Sequence, residues 1–278
     1  MTTYAIIGSQ GNLSRALQLT LNSKDYFLIP KEVYVNWISN KSISEIKQYF
    51  KNLPFSPNYI INTIGIIDSH KTEFEINEIN THFPINLVKA LETNNSKIVS
   101  FGTIMENFPN YCKSNFYLTS KMNLYKHLNR IDTNSYLHLQ IHTWYGGKSL
   151  HKQMFLGQIA SAIFNNKTFE MTSGEQLREY HHIEDDAQAI GWLLNSNTSG
   201  IVQISHGHPI KLATMATEIF KHFNCVNLLE IGAKNDTDNE NMMTSFHKKT
   251  YLDGIHFRNT IDGVISYLSR LLDSYEAE

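Results

Sequence analysis

Short apolar runs alternate along this chain with longer stretches whose apolar residues recur at helical spacing. Tyr4-Ala5-Ile6-Ile7 is apolar throughout and ends at Gly8, which predicts a strand buried on both faces. Residues 12–21 follow, with Leu13, Leu17 and Leu21 in one row, and predict a helix. The same reading gives strands at 26–29, stopped by Pro30, at 59–61, at 98–101 and at 137–141. Helices fall at 43–50, 83–91 and 117–128, the second with Phe83, Leu87 and Leu91 aligned and Val88 beside them. This β-α-β-α alternation predicts an α/β fold with a Rossmann-type doubly wound parallel sheet.

Beyond residue 145 the pattern loosens. Helices are expected at 155–163, 187–194, 212–223 and 261–272, with Asp185 as N-cap of the second, and a strand at 201–204. Residues 233–250 are polar and Asn/Asp-rich, which suits a loop. The expected organisation is a first domain over 1–145 and a smaller C-terminal lobe over 146–278. Segments near 180–205 return to the first domain.

Composition narrows the function. The 278 residues carry 24 basic and 26 acidic side chains, a net charge of −2, with 41% hydrophobic and 18% charged residues. That is a globular balance with no general attraction for nucleic acid or a membrane surface. No apolar run approaches the roughly 18 residues of a membrane span. The start of the chain lacks the basic and apolar regions of a secretory signal. Cys112 and Cys225 form no paired spacing, so reduced thiols and a cytoplasmic location are expected. Arginine is scarce, with only Arg15, Arg130, Arg178, Arg258 and Arg270.

Gly8-Ser9-Gln10-Gly11-Asn12-Leu13-Ser14 joins the first strand to the first helix. Glycines there permit a tight turn and bring backbone N–H groups to a pyrophosphate at the helix N-terminus. The turn predicts dinucleotide binding through Gly8, Gln10, Gly11, Asn12 and Leu13. After the second strand stands Lys31, with Glu32 beside it and no acidic residue before it. A cation at that place favours the 2′-phosphate of NADP(H), while NAD(H) stays open. Arg15, in the first helical turn, opposes the helix dipole and needs solvent or an anionic partner.

Tyr117 and Lys121 are four residues apart on one helix face. An ammonium beside a phenol lowers the phenol pKa and readies it for acid–base work on an alcohol or carbonyl. This composition gives about one such pair by chance, so the context carries the weight. The pair follows the fourth strand, whose end holds Thr103, a second hydroxyl for the same substrate oxygen.

The chain resembles the extended short-chain dehydrogenase/reductases of the sugar-nucleotide epimerase/dehydratase/reductase type. The matching pieces are the glycine turn, Asn62-Thr63-Ile64-Gly65, Asn80, Ser100-Phe101-Gly102-Thr103, Tyr117 with Lys121, Thr143-Trp144-Tyr145-Gly146, and Gly174-Glu175-Gln176-Leu177-Arg178-Glu179-Tyr180 leading to Asp185. The resemblance implies Thr63, Ile64, Gly65, Asn80 and Lys121 at the cofactor, and Thr103, Tyr117 and Lys121 as catalytic residues. It implies Thr103, Thr143 and Arg178 at a nucleotide-sugar substrate, with the Arg178 fork on a phosphate. Thr143 stands where many relatives have Asn. A homodimer is usual among relatives. The small lobe is expected to serve the sugar.

Several reactions share this scaffold. A 4,6-dehydratase carries Asp-Glu directly after the hydroxyl residue, where this chain has Ile104 and Met105. The GDP-fucose type of epimerase–reductase has Cys at the position of Met105. A 4-ketoreductase and a 4-epimerase remain. Ile66-Ile67-Asp68 with Asn80 downstream is closer in outline to the dTDP-4-dehydrorhamnose reductase branch. Reduction of the C4 ketone of a nucleotide-linked 4-keto-6-deoxyhexose, in deoxysugar biosynthesis, is therefore expected. The alternatives are an NAD-dependent 4-epimerase and a non-catalytic dinucleotide sensor. His181-His182 with Asp185 and Asp186 offers metal-ligand types. Neighbouring side chains on an extended segment diverge, so one His is expected in the core, the other in solvent, and no metal site. His206 and His208 flank Gly207 in an expected loop.

Overall fold

The computed structural model describes residues 2–67, 70–92, 96–113, 115–148, 150–236 and 243–276, with side chains to 273. Asp68 and part of the polar loop, 237–242, lie outside the described residues. In chain order the first elements are β1 (Tyr4–Ile7), α1 (Asn12–Thr20), β2 (Tyr26–Leu28), α2 (Lys31–Asn40), α3 (Ile43–Lys51) and β3 (Tyr59–Asn62). Next come α4 (Glu73–Asn77), α5 (Phe83–Leu91), β4 (Lys97–Thr103), α6 (Pro109–Cys112), α7 (Phe116–Leu128) and β5 (Tyr136–Ile141). After these come β6 (Thr143–Tyr145), α8 (Phe155–Phe164), β7 (Phe169–Met171), β8 (Leu177–Arg178), β9 (Tyr180–His182), α9 (Ile183–Asn195) and β10 (Gly200–Gln203). The chain closes with β11 (Ile210–Lys211), α10 (Leu212–His222), β12 (Leu229–Ile231) and α11 (Thr260–Glu276).

The chain divides into two compact units. The first holds Met1–Ile141 and Ala187–Ile204. Its parallel sheet runs β2-β1-β3-β4-β5-β10. Strand order reverses at β1, so the crevice beyond the carboxyl ends of β1 and β3 is where such sheets bind ligands. Ile6, Ile7, Leu17, Ile60, Ile61 and Leu87 are fully buried, each side chain contributing about 2 kcal/mol of hydrophobic stabilisation. Helix α2 was not expected, because Pro30 reads as a terminator. Its row of Val33, Tyr34 and Trp37 nonetheless packs inward, and Pro30 serves as the N-cap. Between α4 and α5 lies one π-type turn, Glu78–His82, and the helical backbone runs through it unbroken.

The second unit holds His142–Asp186 and Ser205–Glu278. Its core is built by α8, α10 and α11, with Ile159, Met215, Ile219, Phe220, Val264 and Leu268 fully buried. Three small two-stranded ladders complete it, β6 with β9, β8 with β11 and β7 with β12. The expected boundary at 145 moves to Ile141, because β6 pairs with β9 rather than extending the large sheet. The segment that returns to the first unit is 187–204.

Candidate active site

Gly8 ends β1 with φ +93°, a left-handed value that favours glycine. A Cβ there would lie 2.8 Å from Thr63 Oγ1 and 2.9 Å from Ile64 Cγ1. The backbone of the turn is therefore drawn close against the end of β3. Thr63 fastens it by donating to Ile7 O at 2.7 Å and Gly8 O at 3.1 Å. Gly11 is the N-cap of α1, with no side-chain cap and no acidic residue in the first turn. Its leading N–H groups thus have no side-chain acceptor, and they suit a pyrophosphate. This close-packed turn fits a dinucleotide held by Gly8, Gln10, Gly11, Asn12 and Leu13. Among the described residues Arg15 reaches no anion. It folds back on Gln10, donating to its O and its Oε1, both at 3.0 Å, and so braces the turn with a neutral partner. Lys31 is the exposed first residue of α2.

The end of β3 is held from the other side. Asn80, fully buried in the π turn, accepts from Ile66 N at 2.9 Å and donates to Ile66 O at 2.8 Å. It donates as well to Ser120 Oγ at 3.1 Å, and Thr81 donates to Ser120 O at 2.8 Å. Two consecutive residues of the wide turn thus pin both the 63–66 loop and α7. A Cβ on Gly65 would lie 3.6 Å from Asn80 Oδ1 and 3.7 Å from Lys121 Nζ. Gly65, Asn80 and Lys121 therefore meet at one place. Ser120 and Thr81 were not among the expected residues, since small hydroxyl side chains inside helices carry no sequence signal.

Thr103 ends β4 and Tyr117 is the second residue of α7, whose N-cap Asn115 accepts from Leu118 N at 2.7 Å. Thr103 Oγ1 accepts from Met105 N, leaving its own proton to donate. Lys121, nine-tenths buried, gives its ammonium to Phe101 O at 2.7 Å and lies 5.8 Å from the centre of the Tyr117 ring. The expected lowering of the Tyr117 pKa is not found. Burial, and then the Glu106 carboxylate, push the phenol well above its ordinary 10. Burial pushes Lys121 down to about 8, with Glu106 working against the fall.

Glu106 is the main residue missed. It is buried, its Oε1 accepts from Thr103 N at 3.1 Å, and its Oε2 accepts from Gln140 Nε2 at 3.0 Å. Oε2 also meets His138 Nε2 at 3.1 Å, and His138 Nδ1 meets Ser100 Oγ at 2.8 Å. A carboxylate thus sits beneath the hydroxyl residue, held by a chain of polar groups through β4 and β5. Its signal was legible as Thr-x-x-Glu, the capping-box spacing, and Thr103 and Glu106 do form that box. The fourteen-position connection from Thr103 to Tyr117 is occupied by this short turn and α6. Cys112 is buried and donates to Met105 O. Burial, with Glu106, raises its thiol to about 11.

In the second unit, Thr143 is half-buried on β6. Arg178 lies on β8, opposite Ile210, and donates to Leu177 O at 2.8 Å. Asp185 is no N-cap. Helix α9 begins at Ile183, directly after β9, and Asp185 in its first turn accepts from Arg258 N at 2.8 Å and pairs with Arg258 Nε at 3.2 Å. His181 and His182 do diverge, but neither reaches solvent. His181 lies between Asp186 and Glu179. His182 packs on Tyr145 and over Gly146, where a Cβ would come within 2.8 Å of its Nε2.

The fold and this site define an NAD(P)-dependent oxidoreductase of the extended short-chain dehydrogenase/reductase type. Residues 10–205 match the profile of the NAD dependent epimerase/dehydratase family, and the chain belongs to it. The cofactor class is a nicotinamide dinucleotide. Similar folds occur in dTDP-4-dehydrorhamnose reductase from Bacillus anthracis in complex with NADP, at 17% identity and TM-score 0.72, covering 97% of this chain and 100% of that one. RMD from Pseudomonas aeruginosa, complexed with NADPH, is similar at 14% identity and TM-score 0.75, covering 99% and 100%. UDP-N-acetylglucosamine 4-epimerase from Methanobrevibacter ruminantium is similar at 13% identity and TM-score 0.72, covering 99% and 98%. No curated protein matches the sequence. No described helix is long and apolar enough to cross a membrane.

Proposed function

We propose that this chain acts on sugar nucleotides, reducing the C4 ketone of a nucleotide-linked 4-keto-6-deoxyhexose with NADPH. The observation that carries this reading is the placing of Lys121, its ammonium fixed on Phe101 O at 2.7 Å and 5.8 Å from the centre of the Tyr117 ring, beside Thr103 at the end of β4. A phenol beside a fixed ammonium can pass its proton to the oxygen of a ketone as hydride arrives. The reduced nicotinamide, when bound, supplies the hydride. Tyr117 Oη gives the proton to the substrate oxygen, and Thr103 Oγ1 donates a hydrogen bond to it. Lys121, fixed on Phe101 O, places positive charge beside the phenol. Gly8 to Leu13, with Thr63, Ile64, Gly65 and Asn80, hold the dinucleotide, and Lys31 is the cation for its 2′-phosphate. Arg178 is the phosphate ligand for the substrate, with Thr143 as a further contact. The buried Cys112 thiol is engaged with Met105 O, which supports the reading against thiol acid–base chemistry.

The test is NADPH consumption with a dTDP-4-keto-6-deoxyhexose. Tyr117→Phe should lower kcat by about 100-fold or more, and Arg178→Ala should raise the substrate KM with kcat little changed. Full turnover by Tyr117→Phe would remove the proton-donor role. Interconversion of C4 epimers without added reductant, on NAD⁺ that co-purifies, would put a 4-epimerase in its place.

A further inference from the structure

We propose that His142, Glu179 and His181 form a binding site for one divalent cation of the zinc class within the second unit. One ligand atom from each of His142, Glu179 and His181 lies within 4.8 Å of the other two. Oε2 of Glu179 is 3.0 Å from His181 Nε2 and 3.8 Å from His142 Nε2. Two imidazoles and a carboxylate are a zinc ligand set, and bonds of roughly 2.0–2.2 Å in tetrahedral array put ligand atoms about 3.3–3.6 Å apart. The two distances from Glu179 Oε2 lie on either side of that spacing, so small shifts of the carboxylate bring it to ligand distance with both imidazoles.

The independent observation is His142 itself. Its side chain is 6% exposed and its Nε2 is buried with no hydrogen-bond partner. A buried polar atom left unanswered is costly, about 1–3 kcal/mol, and calls for a reason. This one is aimed at Glu179 Oε2 and finds no proton there. A cation between them answers it.

The surroundings are arranged as a metal's outer partners would be. His181 Nδ1 meets Asp186 Oδ1 at 2.7 Å, and Trp144 Nε1 donates to Asp186 Oδ2. This is the carboxylate–histidine–metal relay that fixes a ligand's tautomer and orientation. Ser205 Oγ donates to Glu179 Oε1 at 2.6 Å, while the amides of His206 and Gly207 donate to Oε2 at 2.8 and 3.4 Å and turn it towards both imidazoles. His206 does not compete as a ligand, because its Nδ1 accepts from His208 N at 3.0 Å. The rings of Phe246 and Phe257 pack on His142 and His181 and keep the place dry. Without the ion, His181 donates from both nitrogens to two carboxylates. With it, the ion takes the place of the Nε2 proton, which leaves to solvent.

The test uses the untagged full chain, stripped with a chelator and titrated with Co²⁺ and then Zn²⁺, and needs no substrate. One equivalent of Co²⁺ should give visible ligand-field bands of a low-coordinate site, lost when one equivalent of Zn²⁺ is added, with a proton released on binding. His142→Gln, which breaks no hydrogen bond, should weaken binding more than tenfold. Asp186→Asn keeps all three ligands and should weaken it by about 10–100-fold. His208→Ala, a nearby exposed residue, should leave it unchanged. Absence of stoichiometric uptake, or equal affinity in folded His142→Gln, would overturn the site.

Discussion

Glycine at 102 is what allows a carboxylate to live beneath Thr103. A Cβ there would sit 2.3 Å from both Glu106 Oε1 and His138 Nε2. Neither of those groups can retreat, since both side chains are fully buried and bonded on their other sides. Gly102→Ala should therefore cost about 2–3 kcal/mol, read as a lower midpoint in urea. Glu106→Gln asks a different question. The carboxylate raises both Tyr117 and Lys121, in each case second to burial. Removing its charge lowers both pKa values. The Lys121 ammonium is lost as pH rises through about 8, so an alkaline limb of kcat/KM is expected near there. In Glu106→Gln that limb should move to lower pH. A limb that stays in place would show that Lys121 does not set it.

At the scale of elements, the π turn between α4 and α5 does the positioning. Asn80→Ala removes three hydrogen bonds and strands the partly buried N–H and C=O of Ile66. A loss of about 1–2 kcal/mol is expected, together with weaker dinucleotide binding in a fluorescence titration. The row Phe83, Leu87, Leu91 made α5 readable, because burial on one face imposes its period on the sequence. Apolar spacing says nothing about a turn that carries one residue too many, so Asn80 was readable as a cofactor residue by resemblance and not as a clamp. Strands of two or three residues, such as β6 and β9, are too short for period 2 to emerge. That is why His181 and His182 were assigned one core and one solvent face. The pattern showed that they diverge, but not that both sides would be covered. Glu106 stands one position beyond Ile104 and Met105, so it is legible as a cap for the turn and not as the acid of the dehydratase pattern.

For the whole molecule, the near-neutral charge and the β-α alternation were enough for an α/β class with a parallel sheet. Strand order was not, because periodicity describes each element alone and never its neighbours. The order places the glycine turn and the 62–65 segment at adjoining strand ends, where the site lies. A reductase that meets its cofactor afresh each cycle should leave purification without tightly held NAD⁺, which a mass measurement of released nucleotide checks. The same order has a consequence for synthesis. Strand β5 is buried at all six positions, yet its outer neighbour β10 is made only after the whole excursion from His142 to Asp186. While that stretch is emerging from the ribosome, β5 is an open and apolar edge, the kind that pairs with other chains. A fragment cut at residue 145 keeps that edge for good. It should aggregate where the full chain stays dispersed, and adding residues 187–204 back through a short linker should rescue it.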